Sequence, residues 1–151
     1  MALEKITFDH FFIEVKGHID KNHIVLINPN TMNFFKLDNI YLALSVPNNK
    51  LVVNFSINTG KGEGGDWRAE LLREATRSKL DGIIFYTSEN NKIVQNIAKK
   101  WKMKQIDTIP DFYSDGDAAF VYEYLISKTL YKDTTLEVPH GQVSDFAKRA
   151  D

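Results

Sequence analysis

The most constraining feature of this chain is an unbroken run over residues 51–87. It contains a β-type stretch, a glycine loop, a helical pattern and a second β-type stretch, in that order. Leu51-Val52-Val53-Asn54-Phe55-Ser56 is apolar and β-branched, as a strand requires. Asn58-Thr59-Gly60-Lys61-Gly62-Glu63-Gly64-Gly65 carries half of the chain's 8 glycines. Asp66 is placed to cap a helix running to about residue 79, with Trp67, Leu71, Leu72 and Ala75 on one apolar stripe. Asp81-Gly82 ends it, and Ile83-Ile84-Phe85-Tyr86-Thr87 has the short, non-alternating apolar character of a central parallel strand. Two strands joined through a helix pair parallel, by a right-handed crossover.

The loop carries a chemical implication as well. Between a strand end and a helix start, glycines leave backbone N–H groups free to point at an anion, and the helix dipole adds partial positive charge. Such a loop can cradle a phosphate or pyrophosphate. Glycine content alone is equally compatible with a connector that binds nothing.

Residues 8–16 are apolar and aromatic and fit either a short helix or a first strand. His23-Ile24-Val25-Leu26-Ile27, bounded by Asn28-Pro29-Asn30, reads as a strand. Ile40-Tyr41-Leu42-Ala43-Leu44-Ser45-Val46 reads as another, and the turn Pro47-Asn48-Asn49 returns it as a β-hairpin over residues 40–57. Ser88 is positioned to cap a second helix over residues 90–101, with Ile93, Ile97 and Trp101 on its core face. Residues 103–109 and 118–126 read as a last pair of strands, and 110–117 as an acidic loop between them. The fold class expected is α/β: a mixed, mostly antiparallel central sheet containing one parallel strand–helix–strand unit, with helices on both faces. Residues 1–131 are expected to form one domain, followed over 132–151 by a polar tail or short helix.

Composition narrows the function classes. A length of 151 residues suits one domain with its own core. A formal net charge of -1 does not mark the whole chain as a nucleic-acid or membrane binder. The absence of cysteine removes disulfides, thiolate nucleophiles and Cys-ligated metals. No apolar run approaches the roughly 20 residues of a membrane span, and a cytoplasmic location is expected. His10, His18, His23 and His140 show no ligand spacing, so no metal is expected. Asp107, Asp111, Asp115 and Asp117 form an acidic cluster, either a solvated loop or a rim attracting a cationic amine. Lys92, Lys99, Lys100, Lys102 and Lys104 make a basic face that is solvated or lies near a phosphate.

With this element order in hand, residues 39–126 resemble the GNAT N-acetyltransferase superfamily. Thr59-Gly60-Lys61-Gly62-Glu63-Gly64 matches the family's Gln/Arg-x-x-Gly-x-Gly/Ala loop, with Thr59 in place of Gln or Arg. Asn91 stands where the family's Asn opens the second helix, and Lys102-Met103 falls at its closing Gly-Phe. The resemblance implies acetyl-CoA, or another acyl-CoA, as co-substrate without a metal. It implies that Lys61, Gly62, Glu63, Gly64, Gly65 and Asp66 hold the pyrophosphate through backbone amides. It also implies that the pantetheine arm lies along residues 55–58, beside Phe55 and Ile57, and near Asn91. Partners would be a small-molecule or protein amine; nucleic acid is not favoured, no membrane is implied, and a homodimer stays open.

The family's catalytic residues do not carry over. Ala98 stands where many members have a Tyr, and the strand before the loop offers Asn54, Ser56 and Asn58 where a Glu is common. Tyr86 and Ser88, at the end of the parallel strand, and Tyr124, on the last strand, are the candidates for proton transfer. The resemblance also admits a non-catalytic copy of the fold, as among acetyltransferase-like phage proteins, or a nucleic-acid-modifying relative.

Overall fold

The computed structural model describes residues 3–60 and 67–126. Among these described residues, seven strands form one sheet in the order β1-β2-β3-β4-β5-β7-β6. These are β1 (Glu4–Ile6), β2 (Asn33–Leu37), β3 (Ile40–Ser45), β4 (Lys50–Asn58), β5 (Gly82–Ser88), β6 (Lys104–Ser114) and β7 (Asp117–Leu125). The helices are α1 (Phe8–Val15), α2 (Lys21–Ile24), α3 (Trp67–Arg77) and α4 (Lys92–Lys100). Every neighbouring pair is antiparallel except β4 and β5, which run parallel as the crossover demands.

Two apolar layers sandwich the sheet. On one face Trp67, Leu71 and Ala75 of α3 and Ala98 of α4 pack on Leu42, Leu51, Val53, Ile83 and Phe85. The three α3 residues fall at i, i+4, i+8, one stripe of a 3.6-residue period. On the other face Phe11 and Val15 of α1 pack on Phe34, Tyr41 and Ala43. Alternation along β2 and β3 therefore buries both faces, which is why these strands lack a polar side.

The register of the parallel pair is held by a backbone tie. Asn48 and Asn49 turn the chain with φ of 54° and 62°, a region asparagine tolerates. Asn49 then accepts the Asp81 N–H through its carbonyl at 2.8 Å and donates its side-chain amide to the Lys79 carbonyl at 3.2 Å. That sets Lys50 opposite Gly82.

Several elements differ from expectation. Residues 23–27 form no strand. Asp20 caps the short α2 by accepting the Asn22 N–H at 3.0 Å, and local capping overrides the β-branched composition. Of residues 8–16, Phe8–Val15 form helix and Lys16 its C-cap, with the Thr7 hydroxyl oxygen accepting the His10 N–H at 3.1 Å. β1 and β2 were not anticipated; they are short and interrupted by lysine. The second helix is capped by Asn91 rather than Ser88, and Ile93 is 75% exposed, because the buried stripe runs through Gln95 and Ala98. Residues 110–114, read as loop, continue β6, and only Asp115 and Gly116 make the turn. Lys102 adopts φ 56° where the resembled family has Gly, and Met103 N–H reaches the Ala98 carbonyl at 2.9 Å, so the helix closes in the left-handed way without a glycine. Residues 127–151 lie outside the described residues.

Candidate active site

A single extra residue creates the site. Ala43 pairs with Phe55, but Leu44 pairs with Val53, so Asn54 bulges from β4. Side chains alternate with period 2, and the extra residue reverses the parity. Val53 belongs to the α3/α4 core, whereas Phe55 and Ile57 turn to the α1 side. The Asn54 amide is fixed by donating to Ser45 Oγ at 3.0 Å.

At the same point the two halves of the sheet part. The parallel pairing runs from Lys50–Gly82 to Val53–Phe85 and stops. β4 continues against β3 to Asn58, and β5 continues against β7 to Ser88. A wedge-shaped cleft of about 370 Å³ opens between the diverging ends. Phe55, Ser56 and Ile57 form one wall, and Tyr86, Thr87 and Ser88 the other. Asn91 and Val94 bring the first turn of α4 to it, and His18, Asp20, His23 and Tyr113 close the α2 side.

The β5 wall is braced from behind. Buried Gln95 donates its amide to the carbonyls of Ser88 at 3.3 Å and Glu89 at 2.7 Å. Ser88 Oγ accepts the Asn90 N–H at 3.1 Å, and its hydroxyl donates to Asp117 Oδ1. Asn90 Nδ2 reaches the same carboxylate oxygen at 3.3 Å. Asp117 Oδ2 lies 3.5 Å from His23 Nε2. The His23 ring stacks on Tyr113 with centroids 4.6 Å apart at 39°. Burial, then the Asp117 carboxylate, then Tyr86 push the Tyr113 phenol well above its usual value, so it stays protonated.

The structure thus brings together Phe55, Ile57, Tyr86, Ser88 and Asn91 from the sequence candidates. Ser88 is engaged on both sides, as donor and acceptor, which makes it a brace. Asn91 Oδ1 accepts the Val94 N–H at 3.2 Å. Tyr124 stands apart. It pairs with Ile83, at the opposite end of β5 from Ser88, and packs edge-on against Trp101 at 6.1 Å. Its side chain belongs with the α3/α4 core, which removes it as a proton donor to the cleft. Lys61, Gly62, Glu63, Gly64, Gly65 and Asp66 lie outside the described residues. The chain enters that segment from an anchored end. The Thr59 N–H and hydroxyl both donate to the Asn39 carbonyl, at 2.9 and 3.0 Å, and a Cβ on Gly60 would collide with the Asn39 side chain.

Sequence reasoning missed His18, His23, Asp20 and Tyr113 as cleft residues. Asp20 followed by Asn22 and His23 is a helix-start pattern, and it was the one local clue. Nothing local links residue 23 to residues 113 and 117.

No family model and no curated protein sequence matches the chain. Solved structures do. A Bacillus subtilis acetyltransferase in complex with CoA superposes with a TM-score of 0.62 at 11% identity, over 83% of this chain and 99% of that one. The ribosomal-protein-S18-alanine N-acetyltransferase from Escherichia coli gives 0.62 at 9% identity, over 83% and 94%. A Bacillus anthracis protein provisionally assigned as a streptothricin acetyltransferase, in complex with acetyl coenzyme A, gives 0.54 at 16% identity, over 70% and 69%. At these identities the likeness is one of fold. Among the described residues no helix is long and apolar enough to cross a membrane.

Proposed function

We propose that this chain, which has the fold of the GNAT N-acetyltransferases, is an acyl-CoA-dependent N-acyltransferase that moves an acetyl group from acetyl-CoA to an amine. The observation that carries this reading is the wedge between β4 and β5, opened by the Asn54 bulge. Among the described residues, no strand pairs with residues 54–57 of β4 on its β5 side. That edge suits a chain of alternating amide donors and acceptors, and the pantetheine arm is one. When bound, acetyl-CoA supplies the activated thioester carbonyl.

The protein's own part is placement. Phe55 and Ile57 give an apolar wall for the arm. The amide-rich segment 61–66 follows β4 directly, where a pyrophosphate would be held at the start of α3. Tyr86 presents a phenol on the opposite wall, within the same cleft, for the leaving thiolate. Holding amine and thioester together supplies a large share of the rate. One observation favours a non-catalytic relative instead: Ala98 is fully buried in the α3/α4 core, with no phenol at that position.

Thermal or chemical unfolding with acetyl-CoA tests the reading. A ligand at 100 times its dissociation constant adds about 2.7 kcal/mol of stability. Stabilisation together with thiol release on adding amines is the expected result. No stabilisation sinks the acyltransferase reading and points to the non-catalytic relative, as does stabilisation without thiol release.

A further inference from the structure

Resting on that reading, we propose that His23 accepts the proton from the substrate amine and that Asp117 is its positioning residue. The juxtaposition is built from three separate elements. α2 delivers His23, held by Asp20, whose side chain caps the helix and whose carbonyl accepts the His23 N–H at 2.9 Å. β7 delivers Asp117, with Oδ2 at 3.5 Å from Nε2. β6 delivers Tyr113, whose ring stacks on the imidazole and limits its rotation. The imidazole and the carboxylate are both mostly shielded, at 25% and 17% side-chain exposure, yet His23 lines the cleft.

The chemistry of the β4 and β5 walls leaves the base to the α2 side of the cleft, where His23 stands beside a carboxylate, that of Asp117. Asn54, Ser56 and Asn58 on β4 carry no proton acceptor of useful strength. Ser88 spends its proton on Asp117. Tyr86 and Tyr113 are phenols, and Tyr113 is held protonated. The Asp20 carboxylate accepts the Asn22 N–H. The titratable groups around His23 are therefore Asp117 on β7, Tyr113 on β6, Tyr86 on β5, and Asp20 and His18 beside it in sequence. In the tautomer that carries its proton on Nε2, the side facing Asp117, the imidazole has its lone pair on Nδ1.

The step balances as follows. The substrate ammonium gives one proton to Nδ1, which passes it to solvent. The freed nitrogen lone pair forms the C–N bond at the thioester carbonyl, and the C–S bond breaks. The second proton lost from nitrogen goes to the departing thiolate, yielding amide and free thiol.

The test uses the full chain with acetyl-CoA and three named amines: spermidine, phenethylamine and a short peptide with a free N-terminus. Calorimetry reports acetyl-CoA binding, and thiol release reports transfer. His23→Gln should lower kcat by about 100-fold or more on the accepted amine, with acetyl-CoA affinity unchanged. Asp117→Asn should move the ascending limb of the rate–pH profile and change the tautomer balance of His23 seen by nitrogen NMR; Asp117→Glu should restore part of both. An unchanged rate in His23→Gln overturns the proposal, as does a loss confined to His18→Gln. So does a wild-type chain that binds acetyl-CoA but acetylates none of the three amines, which leaves the coenzyme reading standing. Failure to bind acetyl-CoA removes the reading itself.

Discussion

Gly82 sits between two partners, opposite Lys50 on β4 and Leu125 on β7. A Cβ there would lie 2.6 Å from the Tyr124 carbonyl oxygen, and that oxygen belongs to backbone that cannot swing aside. Gly82→Ala should therefore cost about 1–3 kcal/mol, read as a lower denaturant midpoint. An unchanged midpoint would mean that β7 yields. Tyr113 makes a different prediction. Its pKa in the folded chain is raised above the ordinary phenol value of 10.0, by burial first and then by Asp117 and Tyr86. Below pH 10 the phenol is neutral in both folded and unfolded states and adds no pH dependence. Above it the unfolded chain loses the proton while the folded chain keeps it, so stability falls as pH rises, by up to about 1.4 kcal/mol per pH unit. Tyr113→Phe should flatten that alkaline slope. Tyr122, also raised by burial, keeps a residual slope in both proteins.

At the scale of elements, the β5–α4 connection is the part the cleft depends on most. Gln95 is 7% exposed and spends its amide on two carbonyls of that connection. Gln95→Leu keeps the volume but removes one of two donors at each carbonyl, leaving the Asn91 N–H on Ser88 and Lys92 Nζ on Glu89, and should cost about 1 kcal/mol. It should also weaken acetyl-CoA binding, because Ser88 and Asn91 ride on the same turn. Lost stability with unchanged affinity would show that the turn is held without it. The strand–helix–strand order, the parallel pair and the hairpin were readable because each rests on a local pattern: short apolar runs, an i, i+4, i+8 stripe, and Pro-Asn-Asn turn chemistry. What was not readable is parity. Asn54 looks like any strand residue, and only pairing with β3 reveals that it bulges and sends Phe55 and Ile57 to the other face. The α2 side of the cleft was missed for a related reason. Ile24 and Val25 favour strand by composition, and the cap at Asp20 wins. Tyr124 misled because a place on the last strand does not say which end of that strand meets the cleft.

Across the whole molecule, the sheet is two halves joined by the short β4–β5 pairing from Lys50–Gly82 to Val53–Phe85. The joint survives because one apolar layer crosses it: Leu51 and Val53 on one side, Ile83 and Phe85 on the other, under Trp67 and Leu71. The wedge beyond the joint is therefore a fixed gap in a rigid frame, and a ligand filling it should complete the sheet locally. Amide hydrogen exchange with saturating acetyl-CoA should slow within residues 55–57 and 91–94. It should leave β3 unchanged, since that strand is already paired on both edges. The rival place for a ligand is a more open hollow of about 640 Å³ at the far edge of the sheet, where Lys5, Thr7, His10 and Asn33 gather around β1 and α1. Slowed exchange at residues 4–10 and 29–34, with none at 55–57, would put the coenzyme there. In that case the bulge at Asn54 would have no part in binding, and the acyl-transfer reading would lose its footing.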